Sequence, residues 1–222
     1  MLYREHYGLP EYDLREILRY AGADKDVPEL RQVLKDCIDE CRDVFSGKVC
    51  YTKVPVCVSE SSVDLSFASV QSRALAKNLS GCEYAVVFAA TVGIGIDRLI
   101  QKYSKTDVSK AVWMQAIGAE RIEALCDLFC KDIREKEQPF GFYTRPRFSP
   151  GYGDLSITLQ QDIIQVLDCY RKIGIALNQS LLMTPSKSVT AIIGLGKGAC
   201  THEQNTCRRC EQKDCLFRKE RT

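Results

Sequence analysis

The stretch that most constrains this chain is residues 83–91, E-Y-A-V-V-F-A-A-T, which runs directly into V-G-I-G-I-D-R-L-I. A near-continuous apolar run of strand length, closed by glycines, reads as a central strand buried on both faces. Other segments must then cover it. Residues 48–58 (K-V-C-Y-T-K-V-P-V-C-V) are rich in β-branched residues and read as a strand, with Pro55 putting part of it at an edge or a bulge. Residues 63–67 alternate Val63, Leu65 and Phe67 against Asp64 and Ser66, a second strand and hairpin partner. Residues 189–195 (V-T-A-I-I-G-L) form a further β-rich run.

Helical periodicity fills most of the remainder. Residues 13–22 predict a short helix with Leu14, Ile17 and Leu18 on one face and Gly22 as its stop. From Asp26, with Pro28 in the first turn, Leu30, Val33, Leu34, Cys37, Ile38, Cys41 and Phe45 make a stripe that Gly47 closes. Residues 69–79 predict a short helix with Arg73 and Lys77 facing solvent. Residues 107–135 carry the longest helical pattern, its apolar surface coming from Val108, Val112, Ile117, Ile122, Leu125, Leu128 and Phe129. Gly118 and Ala119 in its middle suggest a close backbone approach, while Glu120 and Glu123 read as solvated. Residues 158–173 predict one more amphipathic helix. Gly93 and Gly95 lack the third glycine and the acidic strand end of a dinucleotide site, so close strand–helix packing is the better reading. Without regular βαβ alternation, the class is α+β: a mostly antiparallel, twisted sheet flanked by helices.

The chain has 222 residues, 45% apolar and 27% charged, enough for a real core. A net charge of +2 makes no electrostatic case for nucleic acid or an anionic membrane. Met1-Leu2-Tyr3-Arg4-Glu5-His6 has no apolar signal region, and no run reaches bilayer-spanning length, so the expected compartment is the cytoplasm.

Residues 145–154, R-P-R-F-S-P-G-Y-G-D, stand apart. Prolines fix φ and glycines open conformations closed to other residues, which makes a stiff, shaped loop. Its guanidinium groups suit carboxylates and phosphates. A ligand loop is therefore preferred to a surface turn.

With that loop in view, the order of features becomes specific. R-F-S-P-G-Y, an amphipathic helix, and then G-I-A-L-N-Q-S-L-L-M-T-P-S-K-S-V-T-A-I-I resemble the activation domain of cobalamin-dependent methionine synthase, especially its free-standing relatives. The upstream A-A-T-V-G-I-G-I-D-R-L-I and A-I-G-A-E-R-I-E-A-L match more loosely, and the likeness spans roughly residues 10–197. The resemblance implies an S-adenosylmethionine-binding protein that supports reductive methylation of cob(II)alamin on a separate corrinoid methyltransferase, within methionine biosynthesis. In that family an electron reduces the cobalt, and the sulfonium methyl is then captured. The electron would come from a reductant such as flavodoxin or ferredoxin. An accessory component of this kind needs no catalytic side chain, because it binds and orients. The resemblance implies that Arg147 pairs with the ligand carboxylate, that Ser149 and Gly151 lie along the ligand, and that Tyr152 packs on it or orients the loop. Glu123, with Glu120 next to it in preference, is the acidic helix position. A cobalamin-binding Asp-x-His-x-x-Gly loop is absent, so the corrinoid is expected on the partner.

Twelve cysteines complete the picture. Eight are scattered, and the i,i+4 pairs Cys37/Cys41 and Cys126/Cys130 read as core thiols in preference to metal ligands. Cys200, Cys207, Cys210 and Cys215 lie in a polar, basic segment, and residues 198–222 are set apart as a tail from a domain over 1–197. Four thiolates fit tetrahedral zinc or an iron–sulfur cluster, with His202 able to replace Cys200; a metal site is preferred to a bare redox-sensitive tail. A different class of function also follows from the tail: a non-catalytic, metal-bearing redox or docking module on the same scaffold.

Overall fold

The computed structural model describes residues 1–23 and 28–198. The apolar run forms the middle of a five-stranded sheet, in the order β1 (Leu2–Tyr7), β2 (Gly47–Pro55), β6 (Cys82–Thr91), β10 (Ser188–Gly196) and β7 (Tyr143–Thr144). Every pairing in it is antiparallel. Side chains alternate across a strand, so β6 sends Val86, Phe88 and Ala90 to one face and Ala85, Val87 and Ala89 to the other. Both faces are covered, which is why the run is apolar throughout.

The first face carries α1 (Leu14–Tyr20), α2 (Pro28–Glu40), α4 (Gly95–Thr106) and α5 (Val108–Glu137). Phe129 of α5 meets Phe88 with ring centroids 4.7 Å apart. The opposite face carries α3 (Arg73–Asn78), α6 (Leu159–Val166) and α7 (Cys169–Ile173). A small sheet of β3 (Cys57–Val58), β4 (Ser62–Asp64) and β5 (Ser69–Gln71) closes that side. A short hairpin of β8 (Ala176–Leu177) and β9 (Met183–Thr184) leads into β10. The α+β class with an antiparallel sheet between helices is borne out.

Local readings needed correction where tertiary packing outweighed propensity. Residues 48–58 split, because Pro55 ends β2 and the chain crosses into the small sheet as β3. Residues 69–71 pair as β5, and the helix begins only after Ser72, whose side chain accepts from the Leu75 amide. Residues 158–173 are two helices broken at Asp168, which adopts φ 47°, a left-handed conformation that Asp tolerates better than most residues. The second helix ends at Glu40, and Gly47 opens β2 instead of closing a helix. Val108 and Val112, assigned to the apolar face of α5, are exposed; Trp113 and Met114 are buried in their place. Edge strand β1 is an element that no sequence pattern announced.

In the strand–helix turn a Cβ on Gly95 would lie 2.6 Å from the Val44 carbonyl oxygen, a close approach that only glycine allows. Gly118, within α5, was expected against backbone but meets side chains instead: a Cβ there would lie 3.0 Å from the Lys187 side chain. Among the described residues no helix is long and apolar enough to cross a membrane.

Candidate functional site

The 145–154 segment is not a free loop. Its first half continues the sheet edge beyond β7: the Arg145 amide donates to Gly194 at 2.8 Å, and Phe148 and Ile192 exchange hydrogen bonds at 2.9 Å each way. The second half is a tight turn. The Tyr152 amide donates to the Ser149 carbonyl at 3.2 Å, and the Gly151 amide to the Leu155 carbonyl at 2.9 Å. Gly151 and Gly153 both take positive φ, 89° and 56°, where a side chain would be strained. Asp154 anchors the far end by capping α3: its carboxylate accepts from the Ser72 hydroxyl and from the amides of Arg73 and Ala74 at 2.8 and 3.1 Å. The segment is thus held at both ends, and the side chains it carries are placed by the sheet and by α3.

Two of the sequence-selected residues meet. Arg147 reaches from the sheet edge to α5, where one terminal nitrogen donates to Glu123 and the other to Asp127 at 2.6 Å. Side-chain exposures are 22% for Arg147, 35% for Glu123 and 63% for Asp127. Glu123 and Asp127 are four apart on one helix and so share a face, a signal present in the sequence but not used in selecting the site. Beneath the guanidinium lie Cys126 and Cys130. Burial raises both thiols, against the lowering influence of Arg147, and they remain neutral, apolar packing groups.

Other selected residues lie apart from this contact. Ser149 is half-buried and contributes its carbonyl to the turn, whereas the Tyr152 ring is 70% exposed. Arg145 directs its guanidinium to backbone, the carbonyls of Gly198 at 3.2 Å and Ser80 at 3.4 Å. Glu120, read as solvated, is buried. It pairs with buried Arg121 at 2.5 Å, and Arg121 in turn holds the carbonyls of Pro10 and Glu11 and stacks on the Tyr12 ring 4.0 Å away. Sequence reasoning read Glu120 as solvated; the 10–12 segment folding over α5 buries it together with Arg121.

A cavity of about 360 Å³ opens between α1, the segment leading into it, and α5. Carboxylates dominate its lining: Glu11, Asp13, Glu16, Glu120, Glu123 and Asp127, with Tyr20 and Leu128 as aromatic and apolar surface. Asp13 is placed there by its role as N-cap of α1, accepting from the amides of Arg15 and Glu16. Glu123 and Asp127 therefore face both the cavity and Arg147, and such a setting favours a ligand carrying positive charge beside a carboxylate.

Among the described residues no group of His, Cys, Asp and Glu could hold a metal. Cys37, Cys41, Cys126 and Cys130 are free thiols, all buried except the half-buried Cys130. Cys200, Cys207, Cys210 and Cys215 lie outside the described residues.

No curated protein matches the chain. The crystal structure of a MetH reactivation domain bound to AdoHcy superposes with a TM-score of 0.64 at 13% identity, covering 92% of this chain and 81% of that one. At that identity the likeness establishes a common fold. The model of the family described as vitamin B12 dependent methionine synthase, activation domain, matches residues 71–220, which include α5, the Arg147 segment, β10 and the four tail cysteines. With well over half of its length matched and the fold shared, the chain belongs to the family of vitamin B12-dependent methionine synthase activation domains.

Proposed function

We propose that this chain binds S-adenosylmethionine and supports reductive methylation, and hence reactivation, of cob(II)alamin held by a separate corrinoid methyltransferase such as methionine synthase. Family membership supports the reading, as does the shared fold with a reactivation domain solved with AdoHcy. The observation that carries it is the Arg147–Glu123 contact between the sheet edge and α5. A guanidinium beside a carboxylate presents the complement of an α-amino acid's two charges.

The residues present fit the ligand. Arg147 takes the carboxylate through its planar fork, and Glu123 takes the ammonium. Gly151, without a side chain, lets the backbone approach the ligand alongside Ser149, and the exposed Tyr152 ring is available to pack on it. The acidic cavity lining favours a ligand that bears a sulfonium and an ammonium. Cobalamin on the partner supplies the nucleophile for the sulfonium methyl. This chain's own residues bind and orient, and no general base is required of them. Flavodoxin or ferredoxin would serve as electron donor. Cys200, Cys207, Cys210 and Cys215 would hold an iron–sulfur cluster or zinc, and iron and zinc assays on anaerobically purified protein decide between the two.

Calorimetric titration tests the binding site. Arg147→Ala removes a charge-assisted, bidentate contact and should weaken S-adenosylmethionine about 10- to 100-fold. Unchanged affinity in a folded variant refutes the assignment. Transfer of labelled methyl from S-adenosylmethionine to the partner's cobalt, in the presence of a reductant, tests the reaction. If the chain binds the ligand but no label appears on cobalt, it is a sensor instead.

A further inference from the structure

Both terminal nitrogens of the Arg147 guanidinium already have protein partners. One terminal nitrogen donates to Glu123 and the other to Asp127 at 2.6 Å. Glu123 and Asp127 also line the cavity, so they stand between it and the guanidinium. A ligand carboxylate that accepts from the terminal nitrogen now donating to Asp127 must therefore displace that aspartate.

The two carboxylates are not equal in this exchange. Glu123 is 35% exposed, and its displacement would strip the site of the acidic partner for an ammonium. Asp127 is 63% exposed, its hydrogen bond among the described residues goes to Arg147 alone, and it regains water on leaving. Exposed ion pairs of this kind contribute little to stability, so Asp127 yields at small cost, whereas a second, buried pair would not.

We propose that Asp127 is a specificity-determining residue: an internal carboxylate that competes with the ligand's carboxylate for Arg147. By occupying the fork, Asp127 excludes weak anions and sets the affinity for amino-acid ligands, while Glu123 stays to receive the ammonium. The inference rests on the reading above that Arg147 receives the ligand carboxylate.

The experiment compares Asp127→Asn with the parent chain by calorimetric titration of two ligands. AdoHcy carries the carboxylate and no sulfonium charge, so loss of the aspartate's attraction for a cation is minimised. 5′-Methylthioadenosine lacks both amino-acid charges. Freed from its competitor, Arg147 in Asp127→Asn should bind AdoHcy roughly two- to five-fold more tightly, the scale of a partly exposed ion pair. The affinity for 5′-methylthioadenosine should stay as it was. Asp127→Ala should reproduce the result, with circular dichroism checking that both variants are folded. AdoHcy affinity that is unchanged or weaker overturns the proposal, and so does equal tightening for both ligands, which would report a general loosening of the cavity. A parent chain that binds neither AdoHcy nor S-adenosylmethionine refutes the binding reading itself, and this inference with it.

Discussion

Glu120→Ala is the substitution whose outcome the structure determines most sharply. Glu120 and Arg121 are 4% and 1% exposed, and their charged groups meet at 2.5 Å. Glu120 also accepts from the Asp13 amide at 3.2 Å, while Arg121 ties down the Pro10 and Glu11 carbonyls. The pair thereby fastens the entry to α1 against α5. Removing one partner leaves a buried guanidinium with no counter-charge, a defect that costs about 3–5 kcal/mol. For a chain of this size each kcal/mol lowers the melting temperature by about 2–4 °C, so a fall of roughly 6–20 °C is expected. The double variant Glu120→Ala/Arg121→Met removes both charges together. The Pro10 and Glu11 carbonyls sit on exposed residues and can turn to water, so the double variant should be more stable than Glu120→Ala alone. Urea unfolding of both variants, followed by circular dichroism, gives the comparison. A loss below about 1 kcal/mol in Glu120→Ala, or a double variant less stable than the single one, would refute the reasoning.

Two further outcomes follow from the packing. Burial acts to raise the Glu5 carboxyl, but hydrogen bonds from Lys136, Tyr7 and Tyr51 outweigh it and hold the group at about 2. A depressed folded value means that this stabilisation is complete above the ordinary carboxylate range and is lost as pH falls toward 2. Glu5→Gln should therefore be less stable than the parent at neutral pH and converge with it in acid; parallel pH profiles would rule this out. Gly95→Ala places a Cβ 2.6 Å from the Val44 carbonyl oxygen, a backbone atom that cannot swing aside, and should cost about 1–3 kcal/mol in urea unfolding. Gly8→Ala, with nothing within 4 Å of the new Cβ, is the control and should unfold at nearly the parent's denaturant concentration.

Much of the fold was legible wherever burial follows a short period. Strand β6 showed itself because both of its faces are covered, and α5 because its core side recurs at helical spacing through Ile117, Leu125 and Phe129. Strand β1 was not legible: it is an edge strand whose Tyr7 and Glu5 are satisfied by Asp132, Tyr51 and Lys136, groups far along the chain. The break at Asp168 was hidden as well, because Leu167 and Cys169 on either side of it are both buried and the periodicity hardly falters.

At the candidate site the same division appears. The amino-acid sequence alone determined that residues 145–154 form a rigid segment bearing guanidinium groups, that β6 lies at the centre of the sheet, and that thiols cluster near the end of the chain. These follow from residue chemistry and from neighbours within a turn or two. Tertiary structure decided which charges meet. It set Arg147 against Glu123 and Asp127, turned Arg145 to backbone carbonyls, and buried Glu120 with Arg121 beneath residues 10–12. The physical reason is that a carboxylate's environment is set by whatever a distant segment packs against it, and nothing in the local pattern around Glu120 or Glu123 distinguishes a clamp from a ligand contact.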